Sequence, residues 1–240
     1  MSTIIYGKNA VSASLSSHRV TTLFVSARLK EDRFTLSLPL SETKVKYVMD
    51  GELTRLAKTD RHQGFVAFVK DFETISLEEL VTKAKEKQYP LLVMLDGIED
   101  PHNLGAILRS CDAFGVSGVI MKSRGEVPLN GTVAKVSTGA IDFVPVSVVN
   151  NLSQAIETLK KNGYWIVASE GSSETLYDSI DYRSPICLVV GSEGFGISRL
   201  VLKNSDFVVK IPMVGHVNSL NASVATSVFL SMIDHLRRAH

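Results

Sequence analysis

From Leu91 onward the chain repeats one pattern, a short uninterrupted apolar run followed by a stretch with helical spacing. The runs are LLVML (91–95), VSGVIM (116–121), FVPVSVV (143–149), YWIVAS (164–169), ICLVV (186–190) and FVVKIP (207–212). Runs of this length that do not alternate with polar residues belong to strands buried on both faces. Between them, NLGAILRSCDAFG (103–115) and LSQAIETLKKNG (152–163) read as helices closed by Gly115 and Gly163. Strand and helix in alternation predict an α/β fold, a parallel sheet covered by helices on both faces. Ligands of such sheets bind beyond the carboxyl ends of the strands, so the loops after the apolar runs are where chemistry is sought.

The first 70 residues have a different character. Strands are predicted at 21–26, 44–49 and 64–69, and helices at 9–16 and 51–58, as a small α/β unit of its own. This segment holds 11 Lys+Arg against 6 Asp+Glu, while the rest of the chain holds 15 against 19. A basic module joined to a mildly acidic one points to a polyanionic partner for the first, although such an excess also occurs on plain solvated surfaces. Residues 71–88 read as a linker, with Ser76 and Glu79 spaced as a capping box, and 89–240 as the second domain. The N-terminus lacks a basic region followed by a long apolar core, so no secretion signal is expected. No apolar run is long enough to span a bilayer. The two cysteines, Cys111 and Cys187, lack metal-ligand spacing and sit among apolar neighbours. They are expected to be packing residues in a reduced, cytoplasmic setting, with no metal site.

Three loops carry the polar residues of interest. In DGIEDPHNLGAILRS (96–110), Asp96 and Asp100 could simply cap the helix and pair with Arg109. Alternatively, Arg109 and Asn103 could reach a phosphate or ribose at the loop. In LVVGSEGFGIS (188–198) the glycines permit a tight turn and close backbone approach to a ligand. Their order matches neither G-x-G-x-x-G nor a P-loop, which argues against a nucleotide-dependent oxidoreductase. Glu193 within the turn either caps a helix or faces a hydroxyl, amine or cation. In IPMVGHVNSLNASVATSVFL (211–230) the stretch HVNSLNAS supplies more polar side chains than one helix cap requires. The last helix, 221–238, has Val224, Val228, Met232 and Leu236 at helical spacing. Asn151–Ser153 and Asn221–Ser223 match glycosylation acceptors, which a cytoplasmic setting makes false positives.

Together these loops resemble a known set. D-G-x-x-D-P-x-N-x-G-A-x-x-R at 96–109, G-S-E-G-x-G at 191–196 and I-P-M-x-G…S-L-N-x-S-V-A at 211–225 are similar to the three motifs of the SpoU (TrmH-type) ribose 2′-O-methyltransferases of the SPOUT superfamily. The resemblance covers about residues 85–240. YGKNAVSASL and RHQGFVAFV, at the two ends of the first segment, resemble the small substrate-binding domain of the RlmB-like subgroup, which acts on a guanosine of 23S rRNA. The resemblance implies a C-terminal trefoil-knotted domain with a mostly parallel sheet and a small N-terminal α/β RNA-substrate-binding domain. It implies S-adenosyl-L-methionine as cofactor, held at Gly191, Ile211 and Leu220 with Thr138, Gly139 and Met213 nearby. It also implies a homodimer, and a catalytic group of Asn103, Arg109, Glu193, Ser219 and Asn221.

Among basic residues, Lys8, Arg19, Arg28, Lys44, Lys46, Arg55 and Arg61 are candidates for RNA contact, with Arg61 and His62 the foremost. Two other readings remain open within the resemblance: a tRNA substrate, and a non-catalytic RNA-binding protein on the same fold. The presence of Asn103, Arg109, Glu193 and Asn221 counts against the second.

Overall fold

A computed structural model of the chain describes residues 3–16, 19–40 and 43–238. In chain order the elements begin with β1 (Thr3–Tyr6), α1 (Lys8–Ser16), β2 (Val20–Ser26), α2 (Arg33–Leu36), β3 (Lys44–Val48), α3 (Asp50–Ala57) and β4 (Phe65–Val69). There follow α4 (Leu77–Ala84), β5 (Leu91–Asp96), α5 (Pro101–Ala113), β6 (Gly118–Lys122), α6 (Gly131–Val136), β7 (Val146–Val149) and α7 (Leu152–Lys161). The chain closes with β8 (Trp165–Ser169), β9 (Ile186–Gly191), α8 (Arg199–Asn204), β10 (Phe207–Val209) and α9 (Ala222–Arg238). They group into two units, Met1–Glu73 with Leu129–Phe143, and Thr74–Pro128 with Val144–His240.

The first unit is a four-stranded mixed sheet in the order β1-β4-β2-β3, with β4 antiparallel to both neighbours and β3 parallel to β2. Phe24, Val66 and Leu53 of α3 are buried together, with Ile4, Tyr6 and Phe68 packed against them. The strands and helices expected in this segment are present, and β1 and α2 are additional. Four residues in each leave no period to read.

The segment Leu129–Phe143 belongs to this unit, though it lies inside the range assigned from sequence to the second domain. Asn130 caps α6, its Oδ1 accepting the N–H of Thr132 at 2.9 Å and of Val133 at 3.0 Å. A Cβ on Gly131 would lie 2.4 Å from the carbonyl oxygen of Ile4, so a larger residue would push α6 off β1. Arg19, read as an RNA candidate, is instead buried here. Its guanidinium pairs with Asp142, donates to the carbonyl of Lys70 at 2.9 Å, and lies 3.9 Å from the centroid of the Phe72 ring.

The second unit is a six-stranded sheet in the order β10-β8-β9-β5-β6-β7, every pair parallel. All six residues of β5 are buried, as the unbroken apolar run requires. One face packs on α4, α7 and α8 through Leu80, Val81, Ile156, Leu159 and Val201. The stretch 71–88, read as a linker, therefore contributes a core helix. Ser76 Oγ caps it by accepting the N–H of Glu79 at 3.1 Å, while Glu79 pairs with Lys83 at 2.8 Å rather than completing a capping box. Asn151 caps α7, so it has a local reason to be Asn. Gly115 and Gly163 have φ of +62° and +84°, as expected for residues closing helices.

In α9 the buried residues are Ala222, Thr226, Phe229, Leu230 and Ile233. Val224 is exposed, and Val228, Met232 and Leu236 are only partly buried, so the helix is rotated from the face its aliphatic spacing marks. The reason is Phe229 with Leu230 and Ile233, which remove more apolar surface from water than the valines. Both cysteines are fully buried and unpaired, and burial raises both thiols well above the usual range, as suits packing residues.

Candidate active site

Asp96, at the carboxyl end of β5, ties the loops together. It is 4% exposed. One carboxylate oxygen accepts Lys122 Nζ at 2.8 Å, and the other accepts the N–H of Ser198 at 2.8 Å. Its carbonyl accepts the N–H of Ser192 at 3.1 Å. Burial alone would raise this carboxyl, but the bonds from Lys122 and Ser198 outweigh it and hold Asp96 below the usual carboxylate range. Asp100 is the cap of α5, accepting the N–H of His102 at 2.9 Å. Both aspartates are thus engaged elsewhere. Arg109 is exposed on α5, and its side chain has no hydrogen bond or ion pair among the described residues.

After β9 the chain turns back on itself. Ser192 and Gly196 exchange backbone hydrogen bonds at 2.9 and 3.2 Å. A Cβ on Gly191 would meet the Gly196 carbonyl carbon at 2.2 Å, so the turn closes this tightly only with glycine there. The turn exposes Glu193 and Phe195, the latter 97% accessible.

Glu193 meets residues from two other loops. Asn103, in the first turn of α5, donates from Nδ2 to Glu193 Oε1 at 3.0 Å. Asn221 donates from Nδ2 to Asn103 Oδ1 at 2.9 Å and also to Glu193 Oε1. The other end of the Asn221 side chain caps α9, its Oδ1 accepting the N–H and Oγ–H of Ser223 at 2.9 and 2.6 Å and the N–H of Val224 at 3.3 Å. A single residue serves as cap and as a corner of the polar cluster.

Beside the cluster lies a cavity of about 660 Å³ at the carboxyl ends of β8, β9 and β10. Of the expected residues, Gly191, Glu193, Ile211, Met213, Ser219 and Leu220 line it. Asn103 and Asn221 join it through Glu193. Thr138 and Gly139 do not line it. They belong to the first unit, where Gly139 (φ +96°) lies against Ala13 so closely that a Cβ would come within 2.1 Å of that side chain.

Glu170, Ser172 and Lys210 were not singled out from sequence, yet they also line the cavity. Their signal was position, since each follows the end of an apolar strand. The cavity thus offers carboxylates, an ammonium, hydroxyls and loop backbone groups, as a ligand carrying a cationic centre, a carboxylate and ribose hydroxyls needs. Among the described residues no cluster of His, Cys, Asp and Glu is arranged to hold a metal ion, and no helix is long and apolar enough to cross a membrane.

The chain is similar to known proteins in both sequence and fold. Residues 90–231 match the model of the SpoU rRNA Methylase family, and residues 4–75 match that of the RNA 2′-O ribose methyltransferase substrate-binding domain. A Staphylococcus saprophyticus protein that carries the name TrmH family tRNA/rRNA methyltransferase is 45% identical over 95% of this chain and 93% of its own. The SpoU methyltransferase AviRb from Streptomyces viridochromogenes, solved in complex with AdoMet, superposes with a TM-score of 0.84 at 22% identity, over 98% of this chain and 90% of that one. The A. aeolicus TrmH/SpoU tRNA modifying enzyme superposes with a TM-score of 0.59 at 32% identity, over 68% of this chain and 83% of that one. The chain belongs to the SpoU rRNA Methylase family. It is an RNA methyltransferase, and S-adenosylmethionine is the methyl donor of the family.

The RNA candidates of the first unit divide by environment. His62 is buried, its ring bonded to Thr54 Oγ1 at 3.2 Å and to the N–H of Gly64 at 3.0 Å, so it shapes its loop as Arg19 shapes the core. Arg28, Lys44, Lys46, Arg55 and Arg61 are exposed, and Lys8 is partly so. Of these, Arg28 pairs with Asp50, while Lys8 and Lys46 lie over the rings of Phe34 and Phe24 at 5.1 and 5.4 Å.

Proposed function

We propose that the protein methylates a ribose 2′-oxygen in structured rRNA, a guanosine of 23S rRNA by its likeness to the RlmB-like subgroup. The observation that carries this reading is the Asn103–Glu193–Asn221 cluster, which joins all three motif loops at the lip of the cavity, with the exposed Arg109 on the same helix as Asn103. S-adenosylmethionine, when bound, supplies an electrophilic methyl group on a good leaving group. Backbone groups around Gly191, Ile211, Met213 and Leu220 would hold it. The protein then has mainly to orient the ribose and to stabilise charge on its oxygen.

Arg109 binds the phosphate of the target nucleotide and stabilises the developing negative charge. A guanidinium stays protonated at neutral pH, so it is not the base, and the proton leaves through water. Asn103, Ser219 and Asn221 fix the ribose, and Glu193 accepts a hydrogen bond from substrate or from Arg109. Exposed cations of the first unit grip RNA phosphates.

A target in rRNA rather than tRNA is favoured by the first unit itself. An rRNA methyltransferase from Sinorhizobium meliloti aligns over 98% of the chain, whereas the A. aeolicus tRNA modifying enzyme covers about two thirds of it. Two buried, unpaired thiols support action in the reducing cytoplasm. A trefoil-threaded path is supported by the last segment. It leaves edge strand β10 yet ends in α9, packed on α5 and β9 within the sheet. A homodimer is supported by the exposed Val224, with Val228 and Met232 partly exposed beside it.

The test is transfer of labelled methyl from S-adenosylmethionine to unmodified 23S rRNA fragments and to tRNA, with Arg109→Ala as control. Label on an rRNA ribose, lost in the variant, is the expected result. Label on tRNA alone would overturn the substrate, and no label on either RNA would overturn the reaction on free RNA.

A further inference from the structure

Glu126 lies outside all three motifs and takes no part in the chemistry above, yet it is partly buried against the site. Its Oε1 accepts the N–H of Gly97 at 2.9 Å, and its Oε2 accepts the N–H of Lys122 at 3.0 Å. The next residue continues the seam, Val127 donating its N–H to the carbonyl of Ile98 at 2.9 Å.

Gly97 follows the last residue of β5 and has a φ of +88°, so its N–H has left the sheet and needs another acceptor. Glu126 supplies that acceptor at the point where the chain turns from Asp96 toward α5. Two of the three cluster residues are positioned from this turn. Downstream lies Asn103. Asp96 itself holds Ser192 and Ser198, which flank the turn carrying Glu193.

We propose that Glu126 is a positioning residue for methyl transfer, its carboxylate clamping the Asp96–Gly97 turn to the end of β6 and so holding Asn103 and Glu193 in register. The inference rests on the functional reading above.

The charged groups around Glu126 are Lys122, whose ammonium is bonded to Asp96 and not to Glu126, and Asp96 itself. The environments of the two carboxylates separate them. Asp96, with Lys122 Nζ and Ser198 bonded to it, stays ionised, while burial pushes Glu126 up to about 7 despite its two backbone donors. Ionised Glu126 makes two charge-assisted bonds to the backbone, and its protonated form makes weaker ones. The clamp therefore tightens as pH rises through neutrality, and methyl transfer rises with it.

Two measurements test this. In the first, kcat, the KM for RNA and the affinity for S-adenosylmethionine are compared between the unsubstituted protein and Glu126→Gln from pH 5.5 to 8.5. Glutamine keeps the shape and one acceptor but sets an amide NH₂ against a backbone donor. The expected result is a kcat lowered about tenfold or more, an RNA KM changed less than about twofold, and loss of the rising limb near pH 7. Unchanged kcat and pH profile would overturn the proposal. In the second, the amide resonances of Gly97 and Lys122 are followed against pH in the free protein. A shared midpoint near pH 7, absent in Glu126→Gln, is expected, and amides that do not titrate would overturn the clamp. If the unsubstituted protein methylated no RNA, the functional reading would fall, while this titration would still decide whether the clamp exists.

Discussion

Asn221 does two jobs with one side chain. Its oxygen caps α9 and its nitrogen bridges Asn103 and Glu193. The jobs can be separated. Serine also caps helices but has no amide to donate across the cluster. Asn221→Ser is therefore expected to leave the melting temperature within about 2 °C and to lower methyl transfer by at least about tenfold. A melting curve beside a methyl-transfer assay reads both. Equal activity in the variant would mean that Asn221 is a cap and nothing more. Arg109 shows the converse case. Its sequence neighbours offered two aspartates as partners, and each of these is bonded elsewhere, to Lys122 and Ser198 or to the start of α5.

At the scale of elements, α9 shows where periodicity misleads. Val224, Val228, Met232 and Leu236 recur at helical spacing, yet Phe229, Leu230 and Ile233 are the apolar residues fully buried. Both stripes have the right period, and the larger one won the core. Ile233→Ala should cost about 2–5 kcal/mol by urea unfolding. Val224→Ser should cost within about 0.5 kcal/mol at the same protein concentration. A large cost for the valine would place its stripe in an interface. In α4 the capping serine was legible, but nothing nearby in the chain marked this helix as one that covers the sheet. Covering depends on which strands lie beneath it, and those are far along the chain.

At the scale of the whole molecule, the division into units is not a simple cut. Residues 129–143 complete the first unit, bringing Asp142 to Arg19 and α6 to β1. A fragment ending at residue 75 keeps Arg19 without Asp142. Removing one partner of a buried ion pair costs about 3–5 kcal/mol, a large share of a small domain's stability. Fragment 1–75 is thus expected to be largely unfolded by circular dichroism at 37 °C, while the intact chain is folded. A fully folded fragment would show that the added segment is dispensable.

The amino-acid sequence by itself determined most of the strands and the longer helices, though not the short β1, α2 and α6, because unbroken apolar runs, capping side chains and closing glycines act within a few residues of where they stand. It also determined the family, since three long motifs follow three predicted strand ends in order. Tertiary structure alone decided which loops meet. It joined Asn103, Glu193 and Asn221, although 118 positions separate the first from the last. It set Glu126 under the turn of Gly97, buried Arg19 and His62, and gave residues 129–143 to the first unit. Those outcomes depend on strand order and on which polar atoms remain to be satisfied once the sheet has formed, and neither is a property of neighbouring residues.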